Sequence, residues 1–128
     1  MKHFLASLTV FLAFAITSRA DEPAVGHMVF FELKDKSAEA KKKLVDACYK
    51  YLKDHDGVLY FSAGVRAEDV KEKVSAADWD VGLHIVFKDK AALAKYGPHP
   101  AHQKFIAENK ENWKGVKVYD ALIDSSRK

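Results

Sequence analysis

The residue pattern predicts an α+β fold, a four-stranded antiparallel sheet with its helices on one face. Three observations carry that reading. Four runs are rich in β-branched and aromatic residues, two helical regions lie between them, and the order along the chain is β-α-β-β-α-β.

The first run, His27 to Leu33, alternates strictly. His27, Val29, Phe31 and Leu33 share one side, and Met28, Phe30 and Glu32 the other. Both sides are largely apolar, so the strand is expected to be covered twice. Asp35-Lys36-Ser37 is a turn, and Ser37 is a good N-cap for a helix running to about His55. Leu44, Val45, Cys48, Tyr51, Leu52 and His55 form its apolar stripe, and Gly57 ends it. Val58 to Gly64 reads as the second strand. Residues 65–78 are polar and charged without a sustained period, and are left as a loop of unassigned role.

Trp79 to Phe87 alternates again, with Trp79, Val81, Leu83, Ile85 and Phe87 on one face. A short helix starts at Lys88-Asp89-Lys90, passes Ala91, Leu93 and Tyr96, and stops at Gly97-Pro98. A second opens at His99-Pro100, where proline suits the first helical position. Its stripe is His102, Phe105, Ile106, Asn109 and Trp113. Gly115 breaks it, and Val116 to Ile123 forms the last strand. Right-handed crossovers place both helical regions on one side of the sheet, the ferredoxin-like arrangement. The other face would carry Met28, Phe30, Leu59, Phe61, Val86 and Tyr119. That patch is too large to leave in water, which predicts a homodimer closing sheet against sheet.

Residues 1–20 read as a secretory signal peptide. Lys2 starts them, Phe4 to Ile16 is apolar apart from Ser7 and Thr9, and Thr17-Ser18-Arg19-Ala20 supplies small residues for a cut after Ala20. The run is short for a membrane span, though an uncleaved anchor is the competing reading. The expected location is secreted or periplasmic, with no stable span in the mature chain. Cleavage leaves 108 of the 128 residues, enough for one domain. It removes Lys2 and Arg19 and no acidic residue, lowering the net charge from +3 to +1. So balanced a surface lacks the electrostatic footprint of a nucleic-acid binder. Residues 21–26 are a short tail, 27–123 the domain and 124–128 a C-terminal tail. Cys48, the only cysteine, cannot form an internal bridge and is expected to be buried.

Several of these residues together resemble the stress-responsive A/B barrel (Dabb) domain family. They are His27-Met28-Val29-Phe30-Phe31, Asp80-x-x-x-His84-x-Val86-Phe87, Tyr96-x-x-His99-Pro100-x-His102-x-x-Phe105 and Val116-x-Val118-x-Asp120. The resemblance spans residues 27 to about 123 and implies a dimeric α/β barrel. It implies no single activity. A plant branch contains polyketide cyclases that use a tyrosine and a histidine matching Tyr96 and His102. This chain departs from that branch in its export signal and its longer segment after strand two.

The residues themselves suggest what Tyr96 and His102 could do. His102 shares its stripe with Phe105 and Ile106 and should face the sheet, while the reversal at Gly97-Pro98 could turn Tyr96 toward the same space. An imidazole of near-neutral pKa suits proton abstraction beside a carbonyl, and a phenol can donate to the resulting oxyanion. His27, Val29, Phe31, Val81, Leu83, Phe105 and Ile106 are the expected lining of a small apolar pocket for a hydrophobic ligand. Three readings stay open: a cofactor-free cyclase or isomerase, a ligand carrier, and a structural dimer in which these side chains only satisfy one another. No phosphate-cradling glycine loop or nucleophile-elbow serine is present, so no cofactor is expected. A metal is not expected either, because Pro100 places His99 at the helix cap, away from His102.

Overall fold

A computed structural model describes residues 22–124. The expected signal peptide falls in residues 1–21, which lie outside the described residues, as do residues 125–128 of the tail. The expected order is present: β1 (Val25–Leu33), α1 (Ala38–Leu52), β2 (Val58–Val65), β3 (Val81–Phe87), α2 (Lys90–Tyr96), α3 (Pro100–Asn109) and β4 (Trp113–Leu122). The four strands form one antiparallel sheet in the order β2-β3-β1-β4. The fold is α+β and ferredoxin-like.

Alternation sorts the strands as their sequences require. Val25, Val29, Phe31 and Leu33 from β1 and Val81, Leu83, Ile85 and Phe87 from β3 point under the helices, where Leu44, Cys48, Leu52, Ala92, Tyr96 and Phe105 meet them. Ser37 caps α1 through its side chain, accepting from the Ala40 N–H. Asp89 does the same for α2, accepting from Ala92 at 2.7 Å. Gly57 takes φ +82°, and a Cβ there would stand 2.6 Å from Ala92 Cβ. Only glycine lets the start of α2 sit so close to this turn.

Several local expectations change. The α1 helix ends at Leu52, so His55 belongs to the turn, with its Nε2 3.0 Å from the Tyr51 carbonyl. The α3 helix stops at Asn109, and Trp113 opens β4. The Asn112 side chain and carbonyl accept from the Asp35 and Lys34 N–H groups, which draws the chain out of the helix there. Trp113 still reaches the core, its ring 5.0 Å from Phe31 and 5.7 Å from Phe105. Finally, a register shift between Val58 and Tyr60 turns Phe61 under the helices, against Tyr49, and leaves Tyr60 on the outer face instead.

The outer face therefore carries Met28, Phe30, Tyr60, His84, Val86 and Tyr119. Of residues 65–78, unassigned by the sequence, Val65 ends β2 and the rest fold back toward it. Trp79, expected in the third strand on the face of Val81 and Leu83, precedes β3 and lies on this outer face instead. Trp79 packs 4.9 Å from Phe30 and over Gly82, while Lys117 pairs with Asp78. At the same end Asp80 is buried and accepts from the Leu33 N–H at 2.8 Å, with Lys36 and Lys41 nearby. No helix among the described residues is long and apolar enough to cross a membrane.

Candidate acid–base site

Tyr96 ends α2 and is 4% exposed. The break at Gly97-Pro98 that follows is what gives it neighbours from four directions. His102 of α3 lies 4.4 Å away between ring centroids, His55 of the turn after α1 4.9 Å, and Phe87 of β3 5.1 Å. His27 of β1 completes the set at 5.8 Å, edge-on. His99 stands one shell further out, 4.4 Å from His55. Thus His27, Tyr96 and His102 do converge, and His55 joins them. Sequence reading placed His55 on an apolar stripe. Only the early end of α1 reveals its place against Tyr96.

Hydrogen bonds fix which nitrogen of each imidazole carries the proton. The Gly97 carbonyl lies 2.8 Å from His102 Nδ1 and can only accept, so Nδ1 is protonated and Nε2 keeps its lone pair. Asp120 of β4 stands directly opposite His27 on β1, and its carboxylate lies 2.6 Å from His27 Nδ1. The same logic leaves His27 Nε2 open. His99 is held the other way: its Nδ1 accepts from the Ala101 N–H at 3.1 Å, which makes it the N-cap of α3. Among the described residues, no group of three or more His, Cys, Asp or Glu side chains is arranged to hold a metal ion.

Burial sets the charge states. It holds His102 below the ordinary imidazole value against the opposing pull of the Gly97 carbonyl, and His55, His27 and His99 push the same way as burial. His55 is also lowered, by burial first. Burial raises the Tyr96 phenol well above its usual range, so it stays a neutral O–H. An uncharged imidazole with a free nitrogen beside a phenol that keeps its proton is the equipment for taking a proton and donating to oxygen.

The expected lining residues occupy a different place from the polar group. Val29, Phe31, Val81, Leu83 and Phe105 lie inside the packed core, and Ile106 packs against it. The opening toward solvent is instead on the β4 side. There Asp120 is 49% exposed beside a His27 side chain at 12%, and Val116 and Val118 continue the helix-side face of β4 uncovered.

The model of the stress-responsive A/B barrel domain matches residues 25–123. The chain belongs to the Dabb family. Solved structures agree in fold. A Dabb protein from Mesorhizobium loti is 23% identical, with 81% of this chain and 100% of that one covered and a TM-score of 0.67. A dimeric ferredoxin-like protein of unknown function from Thermobifida fusca is 12% identical over 83% and 96% of the chains, TM-score 0.67. A hydroxynitrile lyase from Passiflora edulis is 16% identical over 84% and 98%, TM-score 0.66. No curated protein matches the sequence. Within this Dabb chain the Tyr96…His99-Pro100-x-His102 element is thus the reversal that packs one phenol among imidazoles from three separate segments.

Proposed function

We propose that this chain is an exported homodimeric Dabb protein that moves a proton on a small carbonyl compound without a cofactor. His102 is the base and Tyr96 the donor to the carbonyl oxygen. The observation that carries this reading is the 2.8 Å contact from His102 Nδ1 to the Gly97 carbonyl, which leaves Nε2 unprotonated in a ring 4.4 Å from that of a buried phenol.

In the step itself, Nε2 takes a proton from the carbon beside the carbonyl. The C–H electrons form the carbon–carbon double bond of an enolate, and the Tyr96 O–H donates to the oxygen that gains charge. The enolate then closes onto a second carbonyl or is reprotonated elsewhere. One fold neighbour is a hydroxynitrile lyase, and at 16% identity it supports the scaffold without supplying a substrate. The partly exposed outer face supports sheet-to-sheet pairing and fold neighbours described as dimeric support a dimer, and residues 1–20 support export.

The test is deuterium uptake at the α-carbons of 2-heptanone and cyclohexanone in D2O, followed by NMR. Exchange above the buffer rate is expected, and His102→Ala should lower it by about 100-fold or more. Tyr96→Phe should lower it less. Exchange that His102→Ala leaves untouched, or wild-type protein that never exceeds buffer, would overturn the reading.

A further inference from the structure

We infer that His27 is a second proton-transfer group of this site and that Asp120 is the positioning residue that makes it one. The inference rests on the proton-transfer reading above and adds the class of reaction. Three imidazoles pack against Tyr96, and with the Nε2 of His55 spent on the Tyr51 carbonyl the two that matter here are His102, at an interplanar angle of 50°, and His27, at 71°. They come from different elements, α3 and β1. Each has its Nδ1 committed, one to the Gly97 carbonyl and one to the Asp120 carboxylate. Each therefore offers Nε2, and a single phenol sits beside both.

Asp120 does for His27 what a backbone carbonyl does for His102, with one difference. A carboxylate also balances the charge that appears when the imidazole is protonated. Register places it: His27 and Asp120 are cross-strand partners on the helix-side face, so the pair is built into the sheet. The groups facing His27 are Asp120 from β4, Tyr96 from α2 and, at longer range, His102 from α3.

A site with two such groups removes a proton from one atom and delivers one to another. The matching substrate class is a β,γ-unsaturated ketone that is converted to its conjugated isomer. His102 Nε2 takes the proton from the carbon between the carbonyl and the alkene, and those electrons form a dienolate whose oxygen accepts from Tyr96. The carbonyl then re-forms, the electron pair moves to the γ-carbon, and that carbon takes the proton that solvent has first placed on His27 Nε2, leaving His27 as the Nδ1–H imidazole held by Asp120. No atom or electron is gained or lost, and solvent takes up the proton left on His102.

Cyclohex-3-enone is the probe, with formation of cyclohex-2-enone read by ultraviolet absorbance. Asp120→Ala should lower kcat about tenfold or more with little change in KM and should alter the pH profile. Asp120→Glu should restore part of the rate. Substrate deuterated at the carbon between the two functional groups, run in ordinary water, should give product with hydrogen at the γ-carbon; deuterium there would mean that one base carries the proton alone, and would overturn the inference. Without any substrate, 15N-correlated NMR should place the His27 proton on Nδ1 in the wild type and move it toward Nε2 in Asp120→Ala. An unmoved tautomer would also overturn it. Loss of rate in His102→Ala with none in Asp120→Ala would sink this inference and leave the simpler reading standing.

Discussion

The two faces of the sheet are made by the same alternation and meet different fates. On one, Val29, Phe31, Leu83, Ile85 and Phe87 disappear under three helices, and the polar group around Tyr96 sits at the margin of that core. On the other, Met28, Phe30, His84 and Val86 are only partly covered, Tyr60 and Tyr119 are 53% and 54% exposed, and Trp79 folds back over Phe30. The difference separates stability from association. The covered face holds the monomer together, whereas the outer face has most to gain from a partner.

The largest effect should come from the covered face. Phe105→Ala empties a site at 2% exposure between Phe31 and Trp113 and should cost about 3–5 kcal/mol in urea unfolding. A cost below about 1 kcal/mol would mean that this core is loosely packed.

Gly57→Ala comes next, at about 1–3 kcal/mol, because it meets both a positive φ and the Ala92 methyl. The same urea midpoint measures it, and an unchanged midpoint would show that the α2 contact can relax.

Acid should produce a smaller drift from the same side of the sheet. His55 and His102 titrate lower in the fold than their ordinary 6.5, so the unfolded chain binds more protons as pH falls. Their contribution is complete above about 6.5 and declines as pH drops through that value toward the depressed folded ones. The lowered carboxylates Glu32, Asp35, Glu68 and Asp78 act in a lower window, beneath their ordinary 4.5 and 3.8. Urea midpoints between about pH 7.5 and about pH 5 should therefore fall in the wild type and fall less in His55→Gln; equal slopes would count against the histidines.

Val86→Lys on the outer face should change monomer stability least, within about 0.5 kcal/mol by hydrogen exchange of the core at low concentration. It should nevertheless shift sedimentation from dimer to monomer at micromolar concentration. A wild-type protein that already sediments as a monomer would sharpen the comparison in the other direction, making Trp79 and the 66–80 segment sufficient cover.

Much of this contrast was legible from alternation alone, because period two leaves a strand little freedom over which side chains go inward. The order of elements, the Ser37 cap and the His99 cap follow from local rules of that kind, and the convergence of His27, Tyr96 and His102 follows once the face of β1 bearing His27 lies under the helices. What escaped depended on contacts distant in sequence. The register shift near Leu59 moved Phe61 across the sheet. The pull of Asn112 on residues 34 and 35 ended α3 early. His55 reached Tyr96 only because α1 stopped at Leu52. Asp120 was visible in the sequence as part of a last-strand motif, but its partner His27 lies 93 residues away, and only strand pairing joins them. Cys48 met its expectation: it is fully buried and its thiol is pushed up to about 12, so thiol reagents should label it only after unfolding.

The strand order has a consequence for how the molecule comes into being. β1 lies between β3 and β4, so the first strand to be synthesised waits for the last before both of its edges are paired. A chain emerging from the ribosome without residues 113–122 holds no neighbour for one side of β1, no Asp120 for His27 and no Trp113 beside Phe31. Folding of this kind is dominated by non-local pairing, and β1 cannot pair both of its edges until the last strand has been made. The site and the finished sheet therefore arrive together.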